Sequence, residues 1–115
     1  MSDIGELSEG MRRFSEERDW TRFHDPKSLT LALVGEVGEL AELLQWLPAD
    51  DLHALTREPQ LNARLGEEMA DVLLYLLRLA DVSGVDLQNA ARRKLRSNND
   101  RYPATEHHGQ APTRR

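Results

Sequence analysis

Leucine supplies most of the apolar side chains of this chain. The 115 residues include nineteen Leu but only five Val, one Ile and six aromatic residues. Leucine loses little side-chain freedom in a helix, whereas strands are built mainly from β-branched and aromatic residues. The composition therefore predicts an all-α fold, and the length predicts one domain. The absence of cysteine excludes disulfides, thiolate zinc sites and iron–sulfur clusters.

Apolar residues recur at helical spacing in four segments. These predicted helices span residues 3–19, 29–46, 60–82 and 87–99. The pattern is interrupted by proline or glycine at Pro26, Pro48, Gly84 and Pro103. The connector is expected to hold one short helical turn at 51–55, and Ser28 is expected to cap the second helix. Residues 104–115 are expected to form a disordered C-terminal tail.

The second and third predicted helices are apolar on nearly every face. Between residues 31 and 44 the only charged side chains are three glutamates, and between 69 and 80 they are one aspartate and one arginine. A chain of this size buries only about 65% of its unfolded surface. One four-helix monomer cannot cover both helices, so we expect an oligomer whose contacts come from them.

The net charge of -5 is divided unevenly along the chain. Residues 1–91 carry 18 acidic and 8 basic side chains, whereas residues 92–115 carry 2 acidic and 7 basic ones. This balance disfavours nucleic acid as a partner, and a small basic patch suits a phosphate-bearing small molecule better. No apolar stretch approaches the roughly 18 residues of a membrane span, and no leader peptide is visible. We therefore expect a cytoplasmic protein without a membrane partner.

Two pairs of acids lie inside the apolar helices, Glu36 with Glu39 and Glu68 with Asp71. Residues three apart share a helix face, so two facing helices would bring four carboxylates together. Buried like charges repel unless a cation compensates them. Mg²⁺ prefers oxygen ligands and keeps waters that a phosphate oxygen can replace. The pattern indicates a magnesium site, although an acidic stripe facing water fits the same spacing.

The chain strongly resembles the MazG-like all-α nucleoside triphosphate pyrophosphohydrolases, and within them the dCTP pyrophosphatase-type branch. The resemblance is carried in order by segments 17–20, 23–24, 26–27, 31–42, 45–46 and 68–77, then by Lys94, Asn98, Arg101, Tyr102 and Pro103. It runs from about residue 14 to residue 103. It implies that residues 1–103 form a helical catalytic domain, a four-helix bundle that works as an oligomer.

The resemblance also implies an activity and a cofactor. Enzymes of this type use Mg²⁺, for which Mn²⁺ can substitute, and cleave a nucleoside triphosphate into a monophosphate and diphosphate. The positions of the family's metal ligands are held here by Glu36, Glu39, Glu68 and Asp71. Glu36 and Glu39 are the candidates for the catalytic base. The expected assembly is a homotetramer, a dimer of dimers with sites near subunit interfaces.

Substrate-binding positions are carried over from the family residue by residue. Those at the phosphates are Lys94, Asn98, Arg101 and Tyr102. Those at the base are Trp20, His24 and Trp46, of which the tryptophans can stack on any base. The chain departs from animal members of the branch at Met11, where they carry a histidine. The expected role is clearing deoxynucleotide pools, with dCTP or a related pyrimidine preferred.

Two other functions are compatible with the sequence. The same helices would serve in a non-catalytic module that binds nucleotides or a protein, with the acids contributing only solubility. A dUTP or phosphoribosyl-ATP pyrophosphatase would need the same metal ligands with a different base pocket. A panel of nucleotide substrates separates these alternatives.

Overall fold

The computed structural model describes residues 2–111, which form six α-helices. Their bounds are α1 Asp3–Glu17, α2 Pro26–Leu44, α3 Leu52–Leu55, α4 Pro59–Val82, α5 Leu87–Arg101 and α6 Ala104–His107. Two short 3-10 helices, Thr21–Phe23 and Ala49–Asp51, precede α2 and α3. The described residues contain no strand, which confirms the all-α prediction.

The second helix begins three residues earlier than the sequence pattern indicated. Asp25, not Ser28, is its cap, because the Asp25 carboxylate accepts a hydrogen bond from the Ser28 backbone N–H at 2.9 Å. Pro26 occupies the first turn, where its fixed φ angle suits a helix and its missing N–H costs nothing. Asp25 and Pro26 therefore set the start of α2, and apolar spacing does not.

The long helix α4 is the centre of the packing. It lies against α2 and, less extensively, against α1. Leu29 of α2 is 1% exposed, and Leu65, Leu77 and Ala80 of α4 are also buried. The α2–α4 pair therefore forms the core, and the same pairing brings together the acids that lie on both helices.

The structure divides into two compact units, Met1–Gly84 and Val85–Arg115. The first unit contains α1 to α4, and the second contains α5 and α6. Helix α4 ends at Val82 and is capped by Ser83, and the following Gly84 adopts a φ of 67° that a residue with a Cβ rarely takes. This glycine marks the boundary between the units.

The segment predicted to be a disordered tail begins with a helix. The backbone N–H groups of Glu106 and His107 both donate to the Pro103 carbonyl oxygen at 3.0 Å, which closes the first turn of α6. The rings of Tyr102 and His107 meet edge to face, with centroids 5.3 Å apart. Local contacts therefore order residues 104–107, and the expectation was wrong there. Residues 112–115 lie outside the described part of the chain.

Several large apolar side chains of α2 and α4 are exposed in the single chain. Leu31 is 62% exposed, Val34 63% and Met69 58%. The single chain leaves much of the apolar surface of α2 uncovered, because α4 is the main helix that packs against it. The exposed faces are those the expected oligomer would use, and that assembly stays a prediction. No helix within residues 2–111 is long and apolar enough to cross a bilayer.

Candidate metal and nucleotide site

Three carboxylates from α2 and α4 converge where the two helices face each other. Glu36 and Glu39 lie one turn apart on α2, and Glu68 lies on α4. One oxygen of each lies within 4.8 Å of the other two. We call these three residues the acid cluster. Two separate i, i+3 patterns thus meet because the two most apolar helices pack against each other.

Burial and mutual repulsion perturb the acid cluster. Loss of hydration, followed by the nearby Glu39 carboxylate, raises the pKa of Glu36. The same two causes raise the pKa of Glu68. The charge of Asp71 contributes to both upward pKa shifts. The cluster therefore holds more negative charge than its surroundings compensate.

The donor set of the acid cluster fits a divalent cation. The Oε2 atoms of Glu36 and Glu68 are buried and have no hydrogen-bond partner. Unpaired buried carboxylate oxygens are costly, and a hard cation such as Mg²⁺ satisfies them with the ligand type it prefers. Glu36, Glu39 and Glu68 are the residues that would hold the ion. Asp71, the fourth predicted ligand, does not belong to the set of oxygens within 4.8 Å.

An open cavity of about 530 Å³ adjoins the acid cluster. It is lined by Glu39, Glu42, Leu43, Arg64 and Glu68. Arg64 precedes Glu68 by one turn of α4 and adds a cation to a wall that otherwise consists of three glutamates and Leu43. Arg64 is not among the residues predicted from the sequence, where its only signal is a basic residue four positions before a predicted ligand.

A second cavity, of about 430 Å³, lies among α1, α4 and the segment that joins α1 to α2. We call it the aromatic cavity. It is lined by Glu6, Leu7, Gly10, Met11, Phe14, Trp20, His24, Asp71, Leu74 and Tyr75. Its size and mostly apolar wall are typical of small-molecule sites. The structure thus brings two of the predicted base-binding residues, Trp20 and His24, into one cavity with Asp71.

Asp71 connects the two parts of the site. Its side chain lines the aromatic cavity, and its charge raises the pKa of both Glu36 and Glu68 in the acid cluster. Asp71 therefore lies on the wall of the aromatic cavity and within electrostatic reach of the acid cluster. Its predicted role as a direct metal ligand stays a prediction.

Trp46 lies apart from the aromatic cavity. It follows the C-terminal end of α2, whereas Trp20 and His24 precede the N-terminal end of that helix. The 19 residues of α2 extend over about 28 Å, so one chain cannot bring Trp46 to the same cavity. Its side chain is 86% exposed. The expectation of a pocket shared by both tryptophans therefore does not hold within a single chain.

The predicted phosphate-binding residues belong to the second compact unit. Lys94, Asn98 and Arg101 occur at i, i+4 and i+7 on α5, so they share one face of that helix. Tyr102 follows α5, and its backbone N–H donates to the Asn98 carbonyl oxygen at 2.8 Å. Their contact with phosphate stays a prediction.

Comparison with known proteins shows the family. The MazG nucleotide pyrophosphohydrolase domain matches residues 24–105. This chain belongs to the MazG family. The MazG domain covers the acid cluster, the predicted residues Trp46 and Lys94, and His24 at its first position. The resemblance stated from the sequence is thereby confirmed.

Two mammalian relatives and one solved structure are similar to this MazG-family chain. The dCTP pyrophosphatase 1 of Bos taurus is 50% identical over 90 residues, 78% of this chain and 53% of the relative. The dCTP pyrophosphatase 1 of Homo sapiens is 50% identical over 91 residues, 79% of this chain and 54% of the relative. The chain thus spans about half the length of these relatives. The crystal structure of a pyrophosphatase from Archaeoglobus fulgidus superposes with a TM-score of 0.80 at 35% identity, covering 90% of this chain and 94% of that one.

Proposed function

We propose that this chain is a Mg²⁺-dependent nucleoside triphosphate pyrophosphohydrolase. It would convert a nucleoside or deoxynucleoside triphosphate and water into the monophosphate and diphosphate. The observation that carries the proposal is the acid cluster, in which two buried carboxylate oxygens lack a hydrogen-bond partner and which adjoins an open cavity. Membership of the MazG family supports it.

The three glutamates of the acid cluster would have different roles in metal binding and proton transfer. Glu36 and Glu68, which are half-buried, would hold the cation together with Glu39. A bound Mg²⁺ supplies charge neutralisation of the phosphates and activation of water. Glu39 is exposed and lines the open cavity, so its carboxylate can orient the attacking water and accept its proton. Glu36 is the alternative base.

The aromatic cavity is the proposed base site. Trp20 offers a stacking face, and a face of this kind binds any base. The preference for dCTP or a related pyrimidine rests on the names of the mammalian relatives.

Lys94, Asn98 and Arg101 are proposed to bind the phosphates, with Tyr102 at the end of their helix. We propose that the chain works as a cytoplasmic homotetramer, in which a second copy could contribute Trp46.

The test is a panel of ribo- and deoxynucleoside triphosphates incubated with the protein and Mg²⁺, with products separated by anion exchange. We expect monophosphate and diphosphate, formed fastest from dCTP. The absence of both products with every nucleotide would reject an enzymatic role and favour a non-catalytic module. Fastest cleavage of dUTP would keep the reaction and reject the base preference.

A matched pair of variants ties the activity to the acid cluster. Glu68→Gln removes a cluster oxygen, whereas Glu67→Gln makes the same change at the neighbouring, exposed position. Loss of an outer-shell partner of a metal ligand costs about 10- to 100-fold in activity. Removal of a direct ligand in Glu68→Gln should therefore cost about 100-fold in activity, and Glu67→Gln only a few-fold. Equal losses in the two variants would contradict the assignment.

A further inference from the structure

A buried arginine connects the aromatic cavity to an ionic network. Arg78 of α4 is 4% exposed. Its Nε donates to His24 Nδ1 at 3.1 Å, and its Nη1 donates to Asp81 Oδ2 at 3.0 Å. Arg12 of α1 donates to both carboxylate oxygens of Asp81, at 2.9 and 2.7 Å. Asp81 therefore fixes the position of Arg78, and Arg78 fixes that of His24.

The bond from Arg78 determines where the proton of His24 lies. A guanidinium group can only donate hydrogen bonds, so His24 Nδ1 must be the unprotonated acceptor. The ring is then neutral and carries its proton on Nε2. Burial, followed by the charge of Arg78, lowers the pKa of His24, which favours the same neutral form.

The arrangement leaves one polar atom of His24 for a ligand. His24 lines the aromatic cavity together with Trp20, whereas Arg78 is not part of its wall. Since Nδ1 is engaged by Arg78, the Nε2–H group is what the imidazole can offer to a bound molecule. Stacking on Trp20 gives affinity without selecting among bases. A donor held in a fixed position also restricts the orientation of the bound molecule.

We propose that Arg78 is a positioning residue that holds His24 as a single hydrogen-bond donor for an acceptor atom on the edge of a bound nucleobase. A carbonyl oxygen or an unprotonated ring nitrogen satisfies this donor. An orientation that turns an N–H group of the base toward His24 leaves this donor unpaired and is disfavoured. The proposal rests on the proposed function because it takes the aromatic cavity as the base pocket.

The first test is the protonation of His24, which needs no enzymatic activity. Nitrogen-15 NMR of the imidazole groups, assigned with a His24→Ala variant, reports which nitrogen carries the proton. We expect Nε2 protonated and Nδ1 unprotonated at neutral pH. In Arg78→Met both tautomers should be populated, and the pKa of His24 should return toward its ordinary value. A protonated Nδ1 in the unaltered protein would overturn the proposal.

The second test is binding of a nucleotide that resists cleavage. Calorimetric titration with the α,β-methylene analogue of dCTP and Mg²⁺ measures affinity directly. Arg78→Met should weaken binding by about three- to tenfold, the worth of one hydrogen bond. Arg78→Lys keeps a charged donor and should recover part of the loss. It also serves as the second variant if Arg78→Met does not fold.

Two comparisons separate positioning from a purely structural role. Arg12→Met removes a partner of Asp81 that does not touch His24, so it should leave the affinity unchanged. In a His24→Ala background, Arg78→Met should have no further effect. An equal loss in that background, or an equal loss with Arg12→Met, would refute the proposal. Absence of cleavage products with the NMR result as expected would instead reject the proposed function and keep the role of Arg78.

Discussion

Replacing Asp81 by asparagine removes the charge that joins α1 to α4 and keeps the shape of the side chain. In the folded protein the Asp81 carboxylate accepts two hydrogen bonds from Arg12 and one from Arg78. The asparagine amide has one oxygen to accept and an NH₂ group that faces donors. The buried Arg78 guanidinium would then lack a counter-charge, and the two arginines would repel each other.

The magnitude follows from the burial of the pair. Removing one partner of a buried ion pair costs about 3 to 5 kcal/mol. The Asp81 side chain is 17% exposed and that of Arg78 is 5% exposed, so water compensates part of the loss and we expect about 3 kcal/mol. For a chain of this length that corresponds to a melting temperature lower by about 12 °C.

Urea unfolding followed by circular dichroism measures this difference. Arg12→Gln is the control, because the Arg12 side chain is 48% exposed and such pairs contribute about 1 kcal/mol or less. Hydrogen bonds from Arg12 lower the pKa of Asp81, so its stabilisation is complete above the ordinary carboxyl pKa and is lost as pH falls through the lowered value. An Asp81→Asn variant within about 1 kcal/mol of the unaltered protein at neutral pH would refute the reasoning.

Three further predictions concern the acid cluster, the aromatic cavity and the core. Glu36→Gln should stabilise the metal-free protein at neutral pH, because burial and Glu39 raise the pKa of Glu36 and stability is lost as pH rises through that pKa. Unfolding in chelator should show this gain disappearing in acid, and a gain independent of pH would contradict it. Trp20→Ala should weaken nucleotide binding about tenfold in calorimetry by removing a stacking face, and an unchanged affinity would exclude Trp20 from the base site. Leu29→Ala should cost about 3 kcal/mol in urea unfolding because the side chain is 1% exposed, and a loss below about 1 kcal/mol would show that the core relaxes around it.

The helices were predictable from the sequence because their signals are local. Apolar spacing placed α1 and α4 within two residues of their observed ends. The predicted start of α2 was wrong, because apolar periodicity does not detect a first turn that begins with Pro26 and is capped by Asp25. The turn of α6 was missed because it depends on the Pro103 carbonyl oxygen and on a ring contact, not on periodicity.

The candidate site was predictable only in part. The i, i+3 spacing of Glu36 and Glu39 places both on one face of α2. The packing of the two apolar helices then brings Glu68 of α4 close to them. The hydrogen bond between Arg78 and His24 joins residues 54 positions apart, and no local sequence pattern predicts it. Trp46 lies apart from Trp20 because the length of α2 separates them. Matching residues to family positions along the sequence gives no information about that distance.

Asp71 belongs to the wall of the aromatic cavity and to the electrostatic environment of the acid cluster. A base bound in the aromatic cavity, as proposed, would displace water from this carboxylate, and less water would mean weaker screening of its charge at the cluster. The cluster would then attract a cation more strongly than it does when water fills the cavity. By thermodynamic reciprocity, a bound cation strengthens the hold on the base by the same factor. The proposed base and the proposed cation would thus bind cooperatively, and Asp71 would couple them.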